Sequence, residues 1–324
     1  MAEFTVRPIE DDSVTAFLDD VKDASAFTFP KVLGSLTSKL SYWGCWKGSE
    51  LVAIWPLCEL ADGTVFTPDF TYYVGPVFSR HFHQSPAHRK SNHLYLIFSS
   101  YMDAFATRYK KISFSLSLSI QDVRYFLWSN HSHSSPFKFE ITPRYTAIIH
   151  DLPSKTEDLI LQSFRETRRN NYRKALTDHQ FILDDTPVTA EESRAVIDLY
   201  QHTITKQGHA VEPKTLAQIV NFIETIPDSF KYCIKVKSQL TGKLAFFALN
   251  LVDHYSSHLV LNLVDEEFRN SKVATLGIMH SILASKKRNC QVFDFNGANS
   301  PTRADDKHSY GAEPQLYFSI NGVQ

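Results

Sequence analysis

A strand, a helix and a second strand follow one another within residues 258–296, and this run constrains the fold more than any other stretch. His258–Val264 consists mostly of leucine and valine, the acidic residues Asp265–Glu267 follow as a turn, and an apolar helix is predicted from Val273 to Lys286. Gln291–Asn296 is predicted to be the next strand. Two strands joined through a helix can pair in parallel. The run therefore predicts an α/β fold with mixed sheets.

Polar side chains interrupt both strands. Because strand side chains alternate, His258 and Asn262 share one face of the first strand, and Asp294 and Asn296 share one face of the second. If the strands form a parallel pair, these side chains converge near the carboxyl ends, where open α/β sheets bind ligands. A buried carboxylate is costly unless it is paired, so Asp294 is either a site residue or half of an ion pair. His258 is either catalytic or a hydrogen-bonded structural histidine, and the two asparagines suit orientation of a ligand better than chemistry.

The start of the helix at Val273 is a candidate anion site. Asn270 and Ser271 can cap the helix, and its first unpaired N–H groups and its macrodipole favour a phosphate. Arg269 and Lys272 add positive charge. The alternative is an ordinary helix start that faces solvent.

A basic stripe lies on another predicted helix. Arg165, Arg169 and Arg173 step by four residues and line one helical face, with Arg168 beside them. Such a stripe either faces solvent or contacts the phosphates of a ligand.

The shortage of glycine excludes two kinds of nucleotide site. The chain has 324 residues and 11 glycines, and no two of these glycines are spaced as a Rossmann fingerprint or a Walker A loop requires.

The net charge restricts the possible binding partners. Thirty-four Lys and Arg against 35 Asp and Glu give a net charge of -1, which argues against a nucleic-acid partner unless a basic patch is strongly local.

Cysteine usage and the N-terminus indicate a cytoplasmic protein without a membrane partner. Cys45, Cys58, Cys233 and Cys290 form no C-x-x-C pair and lie in apolar segments, which predicts reduced core thiols. Met1–Asp12 carries acids where a signal peptide carries bases, and no apolar stretch approaches the ~20 residues that span a bilayer. The oligomeric state stays open.

The predicted elements have a similar order in two halves, which we divide into domains at 1–140 and 141–324. In the first half we predict, in order, strands at Tyr42–Lys47 and Leu51–Leu60, an aromatic segment at Phe66–Phe78, a helix at Ser91–Tyr109, a strand at Ile112–Leu118, a helix at Asp122–Trp128 and a polar loop at Ser129–Pro136. In the second half, besides the run at 258–296, we predict a strand at Phe137–Ile149, helices near 155–178, 189–206 and 213–225, strands at Tyr232–Val236 and Leu244–Leu251, and, after an irregular loop, a strand at Gln315–Ile320. His131 and His133 in the polar loop have no Cys or carboxylate at ligand spacing, so no metal site is expected.

The segment Leu259–Gly277 resembles the acyl-CoA site of the Gcn5-related N-acetyltransferase (GNAT) superfamily. That site is a strand followed by Val-Asp-x-x-Tyr/Phe-Arg and Gln/Arg-x-x-Gly-x-Gly/Ala. The matching residues are Val264, Asp265, Phe268, Arg269 and Ala274, whereas Lys272 stands where the family has glycine. Because that glycine lets backbone N–H groups approach a pyrophosphate closely, the lysine shifts phosphate binding onto the helix N-terminus and the flanking cations.

Two further stretches narrow the resemblance to the Fem-like, double-domain branch of the superfamily. Arg165–Ala175 is similar to its Arg-Arg-Asn-x-x-Arg-Lys-Ala signature, and Phe293–Gly297 with Lys307–Pro314 is similar to its Asp-Phe-x-Gly and Phe-Gly-x-x-Pro pair. The resemblance covers about residues 140–320. It implies two tandem GNAT-like domains packed side by side, the first on the acceptor side and the second with the acyl-CoA site. The residues implied to contact CoA are Leu263, Val264, Arg269, Asn270, Ser271, Lys272, Val273 and Ala274.

The resemblance implies an enzyme that transfers an acyl group from acyl-CoA to the primary amine of an amino sugar, linked to dTDP or UDP, for surface polysaccharide biosynthesis. Asp294 is the first choice of base and His258 the second, backbone N–H groups near Leu263 or Val264 would stabilise the oxyanion, and Tyr310 would protonate the leaving thiolate. The expected substrate contacts are Tyr72, Tyr73, Arg168, Asn262 and Asn296. The alternatives are an aminoacyl-tRNA-dependent peptidyltransferase acting on a peptidoglycan precursor, and a catalytically silent CoA-binding module.

Overall fold

The computed structural model describes residues 4–22, 24–177 and 180–324, which fall into two compact units. The first unit comprises the described residues of Met1–Arg144 together with Leu316–Gln324, and the second is Tyr145–Gln315. Both are mixed α/β, as the sequence predicts. The division expected after residue 140 lies inside a strand, and the last residues of the chain group with the first unit.

The first unit is a mixed sheet with helices. Its strands are β1 (Phe4–Pro8), β2 (Leu40–Lys47), β3 (Glu50–Glu59), β4 (Thr64–Phe66), β5 (Val77–Phe78), β6 (Lys111–Ser115), the start of β7 (Lys138–Ile149) and the end of β13 (Glu313–Val323), which pairs with β6. Its helices are α1 (Asp11–Asp20), α2 (Pro30–Leu33), α3 (Arg80–Gln84), α4 (Ala87–Ala106) and α5 (Arg124–Ser132), with a 3₁₀ turn at Ala26–Thr28. The strands are ordered β1-β2-β3-β4-β6, with β5 paired to β3, and the predicted hairpin of β2 and β3 closes at Gly48, whose φ is +62°.

Aromatic packing builds the core of the first unit. Trp55 of β3 is 1% exposed. The centroid of its ring lies 4.6 to 6.1 Å from those of Phe98, Tyr101, Phe105 and Phe114. Three of these partners lie on α4, whose apolar face therefore covers the sheet.

The second unit combines six α-helices, within the described residues, with mixed β-strands. Its strands are the end of β7, β8 (Phe181–Asp184), β9 (Lys231–Ser238), β10 (Leu244–Val252), β11 (Ser256–Val264), β12 (Val292–Asp294) and the start of β13 (Glu313–Val323). Its helices are α6 (Glu157–Ser163), α7 (Glu166–Thr177), α8 (Ala190–Lys206), α9 (Pro213–Glu224), α10 (Val273–Lys287) and α11 (Pro301–His308), with 3₁₀ turns at Leu152–Ser154 and Glu266–Phe268. The strands are ordered β7-β12-β11-β10-β9-β8.

The predicted strand–helix–strand run is confirmed. β11 and β12 are parallel, with His258 beside Asp294, and α10 connects them. α10 lies close against β10 at Gly277. A Cβ at this position would come 2.1 Å from the ring of Phe246. The absence of a side chain at Gly277 thus sets how near the helix approaches the sheet.

Three helical segments differ from the sequence prediction. α4 begins at Ala87, directly after Pro86, four residues before the predicted start. α5 continues through Ser132, so His131 is helical and does not lie in a loop. α11 occupies part of the segment expected to be irregular, and Pro301 at its first position fits a helix start. None of the helices in the described ranges is long and apolar enough to cross a membrane.

Candidate functional site

Four polar side chains form a row across the sheet of the second unit. His258 of β11 lies between two carboxylates, with Nε2 3.0 Å from Asp253 Oδ2 and Nδ1 3.5 Å from Asp294 Oδ2. The hydroxyl of Thr146, on β7, donates to Asp294 Oδ1. His258 is 3% exposed and Asp294 1%. The parallel pair therefore brings the two predicted catalytic residues into contact, as strand alternation suggests, and adds Asp253 and Thr146.

The surroundings of His258 favour its charged form. Burial alone would lower the pKa of this histidine, but hydrogen bonds and charge interactions with Asp253 and Asp294 outweigh it and raise the pKa to about 9. At neutral pH the imidazole is therefore a cation, and it is a poor proton acceptor. The two carboxylates around it are the reason.

Asn296 connects this row to Lys307, which the sequence analysis did not select. The backbone N–H of Asn296 donates to Asp294 Oδ1 (2.8 Å), and its Nδ2 donates to Leu259 O (3.0 Å). Its side chain is 1% exposed, its φ is +53°, and its Oδ1 is buried with no hydrogen-bond partner in the described ranges. Lys307 Nζ donates to the carbonyls of Asn296 and Gly297. Asn296 thus presents a free amide oxygen at the centre of the cluster.

The pKa of the Lys307 amine lies closer to neutral pH than that of an ordinary lysine. Burial lowers the pKa of Lys307 to about 8, against the opposing effect of the Asp294 charge. The signal in the sequence was its position three residues before Tyr310 in the C-terminal motif, but only the fold places it beside Asn296 and Asp294.

β11 and β12 pair only briefly and then diverge. The ladder covers Ser256–His258, and β11 continues to Val264 without β12. The β10–β11 register shifts between the pairs Asn250–Leu259 and Leu249–Leu261, which makes Val260 the extra residue of a β-bulge. Asp265 N donates to Ala245 O. Because backbone groups alternate along an antiparallel ladder, those of Val264 then face away from β10, toward the open edge, and those of Leu263 face β10.

The segment between β11 and α10 forms an anion-binding arrangement. Lys272, at the glycine position of the family pattern, has φ +68° and directly precedes the helix. The N–H groups of Lys272, Val273 and Ala274 have no acceptor in the part of the chain that the structure describes. A left-handed residue followed by helical residues turns successive N–H groups to one side, as anion nests do. Arg269 is exposed beside them, with Nε 3.4 Å from Glu266.

The side chains at Asn270 and Ser271 do not cap α10. Asn270 is exposed, and the Ser271 hydroxyl donates back to Phe268 O. The sequence predicted that Asn270 and Ser271 could cap the helix. Neither side chain does so, and the N–H groups at the helix start stay available.

Arg168 and Tyr310 lie together near the start of α10. The Arg168 guanidinium pairs with Asp306, donates to Ser309 Oγ (2.9 Å), and stacks over the Tyr310 ring at 4.6 Å. Its NH1 lies 3.5 Å from Thr275 Oγ1 on α10. Tyr310 is 2% exposed, and burial raises its pKa to about 12. The three motif segments of the sequence analysis thus meet at one place.

The basic stripe of α7 is largely engaged within the protein. Arg165 forms a bidentate pair with Asp305 at 3.1 and 2.6 Å, and Arg169 donates to Phe164 O. Arg173 remains exposed. The stripe ties α7 to α11 instead of presenting three free cations.

The remaining predicted contacts are divided between the units. Asn262 is exposed on β11, two residues beyond the bulge at Val260, whereas His258 before the bulge is buried. Tyr72 and Tyr73 lie in the first unit, where Tyr73 is 3% exposed, has φ +55° and packs against Tyr317 at 5.1 Å. Tyr72 is half-buried. Both tyrosines stay predicted acceptor contacts, with only the ring of Tyr72 partly open to solvent.

No protein-family model and no curated protein matches this chain. Solved structures do. FemX is 12% identical, with 97% of this chain and 96% of FemX covered and a TM-score of 0.69. A tandem GNAT protein from the clavulanic acid biosynthesis pathway, solved without AcCoA, is 12% identical with coverages of 99% and 98% and a TM-score of 0.56. L-PGS from Bacillus licheniformis is 10% identical with coverages of 98% and 93% and a TM-score of 0.55.

These similarities show the fold. The chain has the tandem GNAT-type fold over nearly its whole length, in agreement with the Fem-like, double-domain resemblance of its sequence motifs. At such low identity the fold carries no activity with it.

Proposed function

We propose that this protein is an N-acyltransferase that moves an acyl group from acyl-CoA to the primary amine of an amino sugar, most specifically one linked to a nucleotide. The observation that carries the proposal is the opening between β11 and β12. The strands part just after the His258–Asp294 pair, and the open edge of β11 leads to the uncapped N-terminus of α10. A polar catalytic cluster and an anion site thus lie at the two ends of one strand edge.

The donor site fits the chemistry of CoA. The N–H groups of Lys272–Ala274 and the cations Arg269 and Lys272 suit a pyrophosphate. The carbonyl of Val264 offers a hydrogen bond to an extended amide-containing chain along the open edge. The tandem GNAT protein from the clavulanic acid biosynthesis pathway, which was solved without AcCoA, has the same fold as this chain. When bound, acyl-CoA supplies the acyl group as an activated thioester.

The residues of the row, together with Asn296 and Lys307, would position the acceptor amine and take up its proton. Asp294 is held by Thr146, Asn296 and the imidazolium of His258. We assign His258 to holding Asp294 in place, and Asp294 to positioning Asn296. The free Oδ1 of Asn296 accepts a hydrogen bond from that amine. Lys307, whose pKa of about 8 leaves part of the amine unprotonated near neutral pH, takes up in that neutral form the proton that the acceptor amine loses.

This assignment modifies the mechanism expected from the sequence. Asp294 was the first choice of base, but it is 1% exposed and lies against Thr146, Asn296 and the His258 imidazolium. Tyr310 is buried under Arg168, so its role as acid requires the thiolate to reach it near Thr275. The backbone N–H for the oxyanion would be that of Val264, since Leu263 faces β10.

Aminoacyl transfer is the second candidate. FemX gives the higher TM-score of the compared structures, 0.69 against 0.56 for the tandem GNAT protein. The same strand edge and anion site would then take the end of an aminoacyl-tRNA, and the acceptor would be a peptidoglycan precursor. The net charge of -1 favours CoA over a large polyanion.

The test is binding followed by turnover. A thermal shift and calorimetric titration with acetyl-CoA and longer acyl-CoAs should show binding, and free-thiol release with a panel of dTDP- and UDP-linked amino sugars should identify the acceptor. Replacing both Arg269 and Lys272 with Gln should weaken CoA binding about tenfold. No binding of any CoA would overturn the proposal, and transfer from aminoacyl-tRNA in its place would support the second candidate.

Catalysis is tested separately from binding. Asp294→Asn should reduce turnover about 100-fold with little change in CoA affinity. Asp158→Asn, a change at an exposed carboxylate of α6, is the matched control and should leave both unchanged. An unaltered rate in Asp294→Asn would remove the row from the mechanism, and binding without thiol release from any acceptor would favour the silent module.

A further inference from the structure

A long acid-free stretch gives the first unit a local positive charge. Residues 70–102 contain no Asp or Glu, and they include Arg80, Arg89, Lys90 and the histidines at 81, 83, 88 and 93. The whole chain has a net charge of -1, so this concentration is compensated elsewhere. Positive charge collected in one stretch of a neutral protein creates a local field that attracts anions.

The cations of this stretch are available. Arg89 is exposed and Lys90 half-buried, both in the first turn of α4, and Arg80 is exposed at the start of α3. None of the three forms an ion pair with any residue in the described ranges. The N-terminus of α4 adds its own partial positive charge in the same place.

Exposed apolar side chains lie next to these cations. Leu127 and Trp128 of α5 are 51% and 50% exposed. Trp128 contacts the ring of Tyr95 on α4 at 6.2 Å and the guanidinium of Arg124 at 5.2 Å. Arg124 in turn donates to Ser91 Oγ at 2.6 Å, and Ser91 is adjacent to Lys90. The apolar pair and the free cations thus belong to one surface, formed by the start of α4 and by α5.

We propose that this α4–α5 face, defined by Arg89, Lys90, Leu127 and Trp128, binds the surface of an anionic lipid bilayer. Lysine and arginine near a bilayer are attracted by its negative headgroups. A tryptophan with one side in protein and one in solvent is suited to the headgroup boundary, and a neighbouring leucine adds an aliphatic group that can enter it. The inference is independent of the proposed activity and differs from the sequence-based expectation that no membrane is a partner.

The composition of the face favours lipid over nucleic acid. Leu127 offers neither a stacking surface nor a hydrogen bond to a base. Arg124 is already neutralised by Asp122, with which it forms a pair at 2.6 Å, so few cations remain. Few free cations suit a bilayer, where apolar insertion adds to attraction, better than they suit a nucleic acid, where phosphate neutralisation supplies most of the affinity.

The experiment is co-sedimentation of the full chain with vesicles. Binding is expected to vesicles containing phosphatidylglycerol, not to vesicles of phosphatidylcholine alone, and it should fall at high salt. Leu127→Ser with Trp128→Ser, and separately Arg89→Gln with Lys90→Gln, should each reduce the bound fraction about tenfold. Leu60→Ser, at a side chain that is 45% exposed in the same unit, should change nothing.

Several results would overturn the proposal. These are the absence of binding to anionic vesicles, equal binding to both kinds of vesicle, and retention of binding in both double variants. Binding of single- or double-stranded nucleic acid without vesicle binding would assign the face to that partner instead. Circular dichroism of each variant checks that it is folded, so that reduced vesicle binding can be distinguished from unfolding.

Discussion

Ionisable side chains are distributed unequally between the interiors of the two units. In the described residues of the first unit, Glu59 is the buried carboxylate, and aromatic rings around Trp55 fill the core. The second unit buries Lys231, Lys235, His258, Asp265 and Asp294. Burying a charge is costly unless partners hold it. The second unit therefore keeps an arrangement that apolar packing alone would not select, and such arrangements concentrate where chemistry is done.

The aromatic core is the place where a single change should have the largest effect. We expect Trp55→Ala to lower the free energy of unfolding by about 3–5 kcal/mol, because it leaves a cavity among four rings. Urea unfolding followed by circular dichroism measures this. Trp128→Ala, at a half-exposed ring, is the control and should cost far less. A loss below about 1 kcal/mol for Trp55→Ala would mean that the core of the first unit re-forms around the gap.

The row around His258 predicts that the free energy of unfolding decreases as the pH becomes alkaline. The pKa of His258 is raised from 6.5 to about 9 in the folded state, so its contribution is complete below pH 6.5 and is lost as pH rises through about 9. The difference is on the order of 3 kcal/mol. Free energies of unfolding measured from pH 6 to 10 should fall more steeply in the wild type than in His258→Gln.

A histidine of the first unit provides the comparison for that experiment. His131→Gln changes an exposed residue of α5 and should keep the wild-type slope. Parallel curves for the wild type and His258→Gln would show that the imidazole is not held as a cation.

A smaller effect is expected where α10 meets the sheet. Gly277→Ala should cost about 1–2 kcal/mol, since the new Cβ would overlap the ring of Phe246 and the higher helix propensity of alanine offsets only part of this strain. Thermal unfolding measures the loss. Adding Phe246→Leu should recover some of it, and if the double variant is less stable than the sum of its parts, the ring is not the obstacle.

The smallest effect has the opposite sign. Lys272→Gly should stabilise the protein by about 0.5–1 kcal/mol, because a left-handed backbone is strained for lysine and not for glycine. CoA binding should weaken at the same time, as a cation is lost. Lys272→Ala loses the same charge without relieving the strain, so chemical unfolding should separate the two variants. Equal stability in both would show that the loop is not strained.

The parts of the site that follow local patterns were predictable, and those that depend on distant contacts were not. Alternation along two short strands placed His258 and Asp294 on matching faces, and the connecting helix made the pair parallel. Asp253 comes from the turn before β11, where no periodicity applies. Thr146 lies 148 residues from Asp294 along the chain, so only sheet pairing brings them together. The left-handed backbone at Lys272 is compatible with the family pattern but contrary to the preference of lysine.

The contacts of Lys307 also could not be predicted from the local sequence pattern. Its place at the end of a polar helix is typical of a solvent-exposed lysine, but the side chain is half-buried and its amine donates to two carbonyl groups. α11 itself has a polar sequence that gave no apolar period to detect. The prediction of the fold class and of the tandem arrangement rested on motifs and element order, which do not depend on these contacts.

Each unit contains two buried thiols, whose reaction rates can therefore report local unfolding in each unit separately. Cys45 and Cys58 lie in the first unit and Cys233 and Cys290 in the second, all free and buried, and burial raises the pKa of each to about 12. Such thiols react only when the surrounding structure opens. The rate at which each cysteine is alkylated, read by mass spectrometry, therefore reports how often each half of the molecule loosens by itself, without any label being introduced.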